Sequence, residues 1–172
     1  MNERKIMKTV NMLVGVCMAL AASHALAQSA LNDANRKSMA VIVEEGNKCV
    51  SGMEAEDLRP FLNPSPAVKD LLLTDAAKLR SSEVLGKLND QERKVVEELL
   101  RTSVSCRVHL QNLEVLSADL ATKEAAIDSD ATAKQMLASV GQISERVMAT
   151  LQAATQASPE LAHFLHVQGL SK

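Results

Sequence analysis

Glu160, His163 and His166 read E-x-x-H-x-x-H, a spacing that brings one carboxylate and two imidazoles near one face of a helix. Each three-residue step turns about 60° from the last, so one metal ion would reach two of them more easily than all three. Di-iron bundles draw four carboxylates and two E-x-x-H pairs from separate helices, and a single such pair occurs here. The expectation is a solvent-facing polar strip, with Leu161, Phe164 and Leu165 turned inward; metal binding by the three polar residues stays open, and no cofactor is assigned. His109 stands three residues after Cys106, so a thiol–imidazole nucleophile pair can be drawn. It fails if Cys106 is oxidised, and no third group to orient the imidazole is evident. Thr102, Ser103 and Ser105 are small hydroxyls that could line a pocket or let two helices pack closely. Glu44-Glu45 and Glu97-Glu98 are adjacent, so on a helix each pair diverges and is expected to be solvated. The sequence contains no G-x-S-x-G, no phosphate-cradling glycine loop and no H-E-x-x-H. No catalytic residue is assigned.

The oxidation state of Cys106 depends on where the chain resides. Arg4, Lys5 and Lys8 precede Val10–Ala22, apolar apart from Asn11, and Ala25-Leu26-Ala27 follows. Positive start, short apolar run and A-x-A site describe a secretory signal peptide, residues 1–27, cut after Ala27. As a helix the apolar run reaches only about 20 Å against a bilayer core of about 30 Å, so a membrane span is disfavoured. Cys17 as a lipid anchor is disfavoured by the bulky Val16 before it. Met7-Lys8-Thr9 would open an equally good signal. A periplasmic or secreted location is expected. Cleavage leaves 145 residues and moves the balance from 19 basic and 21 acidic residues to 16 and 20, because Arg4, Lys5, Lys8 and Glu3 depart. It also leaves two cysteines, Cys49 and Cys106. An even pair in an oxidising compartment suggests a disulfide, with two buried free thiols or a redox site as the competing reading. No C-x-x-C is present. Closing a loop of this length would stabilise the chain by about 4 kcal/mol in the chain-entropy picture.

The elements that must position these residues are helices. Residues 28–172 are expected to form a single all-α domain, an antiparallel bundle of three long and two or three short helices. A first helix over about Ser29–Met53 carries the stripe Met39, Ile42, Val43, Cys49, Val50 and Met53. Gly46 interrupts that stripe, weakening the helix by about 1 kcal/mol but allowing a neighbouring helix to approach closely. Glu54–Pro66 holds three of the four prolines and reads as a connector. Ser65-Pro66 opens a short second helix through Val68, Leu71, Leu72 and Leu79. Val84, Leu85 and Leu88 mark a further turn, and Asn89 or Asp90 caps the main helix, which extends to about Ala126. Its heptad-like seam is Val96, Leu99, Ser103, Cys106, Leu110, Leu113, Ser117 and Leu120. Cys49 and Cys106 both fall on inward stripes. Asp128-Ser129-Asp130 caps the next helix, with Met136, Val140, Ile143, Val147, Leu151 and Ala154 inward. Ser158-Pro159 starts a last helix closed by Gly169.

The string Leu88-Asn89-Asp90-Gln91-Glu92-Arg93 resembles the L-T-x-x-Q signature of Spy-type periplasmic helical chaperones in one copy, with Asn for Thr and Glu for Gln. Exported chorismate mutases are also helical and can carry a disulfide, but the Arg and Lys set for their dicarboxylate substrate has no counterpart to place here. Neither likeness assigns a family. The chain has no Trp, no Tyr and two Phe, and a net charge of −2. That composition excludes nucleic-acid partners gripped by aromatic stacking and a basic surface, and disfavours sugar platforms and aromatic cages. From Ala131 to Lys172 the charged residues are Lys134, Glu145, Arg146, Glu160 and Lys172. A face so poor in charge suits a partner surface, or packing within the bundle itself. The expected function is a non-enzymatic exported protein that binds another protein, as chaperone, adaptor, immunity protein or inhibitor. The alternative is a small-ligand carrier or enzyme with its pocket between bundle helices.

Overall fold

Each long helix begins where a side chain satisfies the amides that a helix start leaves without partners. A computed structural model describes residues 31–75, 78, 82–121, 123 and 127–171, and among them it is all-α. The helices are α1 (Asp33–Ser51), α2 (Ala55–Leu62), α3 (Pro66–Leu72), α4 (Ser82–Leu85), α5 (Asp90–Leu120), α6 (Ala131–Ala157) and α7 (Pro159–Val167). Asn32 caps α1 and Asn89 caps α5, each in a reciprocal capping box with the side chain three residues on. Asp130 accepts from the Thr132 and Ala133 amides at the head of α6. Ser65 and Ser158 cap α3 and α7, with proline in the first turn of both. Helix α3 ends at Leu72 and α5 at Leu120, short of the expected Leu79 and Ala126; those two residues and the signal segment 1–27 lie outside the described residues.

The expected bundle is present, its three long helices accompanied among the described residues by four short ones where two or three are expected. Asn35 meets Asp119, Cys49 meets Cys106 and Gly52 meets Thr102, so α1 and α5 run antiparallel. Leu31, Met39 and Ile42 pack with Ala133 and Val140, and Gly46 lies against Ile143, so α6 runs alongside α1 in the same direction. Helix α1 therefore packs on both α5 and α6, while α5 and α6 make little direct backbone approach to each other. At the far end α2, α3 and α7 close the bundle over Phe61, Leu71, Leu72, Leu161, Phe164 and Leu165, all of them buried. Each such side chain contributes roughly 1.5–3 kcal/mol relative to exposure.

Other expectations need correction as well. The proline-rich connector contains a helix, α2, with Pro60 inside it. Pro60 forgoes one helical hydrogen bond, and Leu58 and Phe61, three apart and buried, anchor the turn to the core. On α5 the inward side drifts from the expected seam. Val96, Leu99, Ser103 and Cys106 are buried, but Leu110 and Leu113 are only half-buried and Ser117 is exposed. Thr102, Ser105, His109 and Leu116 turn inward instead. The buried positions move back by one residue, from Leu110 to His109 and from Ser117 to Leu116, turning the inward face about 100° toward α1, where Gly46 admits the His109 ring. Among the described residues no helix is long and apolar enough to cross a membrane.

Candidate functional site

The drift leaves apolar side chains on the flank of α5 that α1 does not cover. Leu110, Leu113, Glu114 and Ser117 line one wall of a groove of about 1200 Å³. The facing wall is α6, from Ser144 through Glu145, Met148, Leu151 and Gln152 to Gln156. The groove exists because α5 and α6 are held apart by α1 behind them. Its end is closed by the turn after α7. There the Leu170 amide donates to the Leu165 carbonyl and the Gly169 amide to the His166 carbonyl, with Gly169 at φ 71°. This Schellman stop needs the left-handed residue that glycine supplies, and it buries Leu170 beneath the groove. Met148 is 56% exposed, high for an apolar side chain of its size. Two carboxylates, Glu114 and Glu145, are the charged residues of the lining. Neither has an ion-pair partner among the described residues. Two smaller hollows, about 270 and 200 Å³, flank Pro60 and Phe61 near the start of α5.

The residues singled out for chemistry lie elsewhere and are held by structural partners. Cys49 and Cys106 are bridged, their Sγ atoms 2.07 Å apart and both residues fully buried. The thiol nucleophile drawn from Cys106 and His109 is thereby excluded. His109 is itself fully buried, and its Nδ1 donates to the Ile42 carbonyl at 2.8 Å, since a carbonyl can only accept. Its Nε2 is buried with no hydrogen-bond partner. Gly46 admits the ring: a Cβ there would lie 2.7 Å from His109 Nδ1 and 2.7 Å from Ile143 Cγ1. The glycine in the α1 stripe was the one sequence signal for this close approach. That the imidazole would fill it was not legible, because the heptad pattern placed Leu110 inward in its stead.

Glu160 is engaged by Lys69 of α3 at 2.7 Å. The ammonium, and then the residue's own backbone amide, hold the Glu160 carboxyl below its ordinary range; Glu160 in turn raises Lys69. His163 and His166 are exposed, as the polar-strip reading expected, while Leu161, Phe164 and Leu165 point inward. Among the described residues no group of three His, Cys, Asp or Glu side chains is placed to hold a metal ion. Glu44 is exposed as expected and Glu45 is half-buried, and both reach the Lys48 ammonium, at 2.8 and 2.7 Å. Lys48 and the Ser105 hydroxyl lower the Glu45 carboxyl. Of the second pair, Glu98 is bonded to Arg101.

The Leu88–Arg93 string is a helix start. Asn89 accepts from the Glu92 amide and donates its own amide to Glu92 Oε2, both at 2.9 Å, and the Ser65 hydroxyl donates to Glu92 Oε1 at 2.6 Å. Those bonds, Ser65 first, lower the Glu92 carboxyl. A matching device ties the other end of the bundle. Asp119 accepts from Asn35 at 2.6 Å and from Lys123 at 2.8 Å, and Lys123, then Asn35, hold it below its ordinary value. Comparison with protein families, with curated proteins and with solved structures finds no match to this chain.

Proposed function

We propose that the chain is an exported, non-enzymatic helical protein that acts by binding another protein. The observation that carries this reading is the α5–α6 groove. It is apolar at its base, poor in charge and open to solvent, the character of an interface core. Its volume exceeds the 300–1,000 Å³ or so typical of small-molecule sites. The signal-like segment 1–27 supports export, and the Cys49–Cys106 bridge fits a compartment that oxidises thiols.

The test is direct. The exported protein, isolated from the cell envelope or medium, is expected to begin at Gln28 by N-terminal sequencing. Immobilised, it is expected to retain one protein reproducibly, and the purified pair is expected to re-form with a measurable Kd. Protein binding is ruled out if no purified candidate rebinds while a small molecule raises the melting temperature. In that event the groove is a ligand pocket. Export fails if residues 1–27 remain attached to a cytosolic protein.

A further inference from the structure

We propose that the α5–α6 groove receives one amphipathic α-helix of another protein, with an apolar stripe flanked by lysine or arginine. The inference rests on the protein-binding reading and specifies the partner's chemistry. Three features of the groove select that occupant.

The first is shape. The α6 wall runs from Ser144 to Gln156, about 18 Å at 1.5 Å per residue, or three to four turns of a docked helix. Both walls are helices, so their side-chain ridges form grooves into which residues at i, i+3, i+4 and i+7 of a third helix can settle. Helix α1 covers one side of the α5–α6 pair and nothing among the described residues covers the other, so an added helix completes a four-helix arrangement. The second is the apolar surface. Leu110, Leu113 and the exposed Met148 supply it, and an unbranched thioether adapts its shape to an incoming side chain. The third is charge. Glu114 and Glu145 stand at the groove with no Lys or Arg beside them in the lining and no ion-pair partner among the described residues. Cations on the flanks of the incoming helix would complement them, which favours encounter and discriminates against acidic partners. A second copy of this chain presenting the same groove would bring carboxylate toward carboxylate, so self-association through this face lacks that complementarity.

The probe is a fluorescein-labelled leucine–lysine amphipathic peptide of about fourteen residues, close to four turns, with a leucine–glutamate peptide of the same pattern beside it. Binding is followed by anisotropy at low and at physiological salt. The lysine peptide is expected to bind the wild-type protein, and the Glu114→Lys/Glu145→Lys variant to weaken it about tenfold or more. Met148→Ser is expected to weaken it about threefold. A control, Glu83→Lys/Glu97→Lys, makes the same change in net charge outside the groove and is expected to leave Kd within about twofold. All four side chains reversed in charge are exposed, and circular dichroism melts verify that each variant folds. The proposal is overturned if wild type and the groove variant bind the lysine peptide equally, if the control weakens binding as much, or if the glutamate peptide binds as tightly. A purified native partner that ignores the groove variant removes the groove but leaves the protein-binding reading standing. Absence of binding by both peptide and native partner removes both.

Discussion

The two flanks of α5 show how one helix can be sealed on one side and left open on the other. Toward α1, Gly46 and Gly52 let the backbones close, with His109 and Thr102 filling the space and a disulfide pinning the pair where Cα atoms lie 4.7 Å apart. Toward α6, the same helix presents Leu110 and Leu113 to a groove that no other helix among the described residues fills. Small residues with a cross-link make the first interface, while larger side chains without a cover make the second. Stability is thus concentrated on the first flank, and the second is the one on which the proposed partner helix would dock.

The contrast can be broken at several points. Replacing both cysteines, Cys49→Ser/Cys106→Ser, is expected to cost about 4 kcal/mol in denaturant unfolding under oxidising conditions. A loss below about 1 kcal/mol would mean that the α1–α5 flank does not depend on its cross-link. Gly46→Ala drives a methyl into His109 and Ile143 and is expected to cost about 1–3 kcal/mol; adding Ile143→Val should return part of it in a double-mutant cycle. Asn89→Ala removes the α5 cap and is expected to lower stability by about 1 kcal/mol. The pH dependence is smaller and has a definite sign. Glu92, Asp119 and Glu160 are all lowered in the fold, so their contribution is present above the ordinary carboxyl range and is lost as pH falls through the lowered values. Lys69 is raised, so its share is present below the ordinary lysine value and is lost as pH rises through the raised one. Glu160→Gln is therefore expected to flatten the melting-temperature profile at both limbs, and more at low salt. The smallest effect belongs to the open flank. Met148→Ala is expected to shift stability by no more than about 0.5 kcal/mol; a larger loss would show the groove to be part of the core.

Much of the helical framework was legible because caps are local chemistry. Asn89, Asp130, Ser65-Pro66 and Ser158-Pro159 each announce a helix start within four residues, and each is used as such. The inward face of α6 was legible too, from Val140 to Ala154, because its apolar residues are plentiful enough to tolerate drift. The face of α5 was not. Its pattern mixes Ser, Thr and His with Leu, and the heptad reading places Leu110, Leu113 and Ser117 inward where packing against α1 turns His109 and Leu116. The groove was illegible for the same reason, since it is built from the residues that the heptad reading placed in the core. The helical turn around Pro60 was hidden because proline statistics speak against it locally, and only the burial of Leu58 and Phe61 outweighs them.

The chain's own pattern of caps, apolar periodicity and paired cysteines determined an all-helical protein with a cross-link between two of its long helices. These are properties of spacing along one strand of polypeptide, and they need no partner to be read. Which side of α5 closed and which stayed open was decided only by the tertiary structure. The outcome turned on whether a glycine of α1 stood opposite a buried ring, and on how far α1 held α5 and α6 apart. Those are distances between segments far apart in sequence, and no local periodicity encodes them.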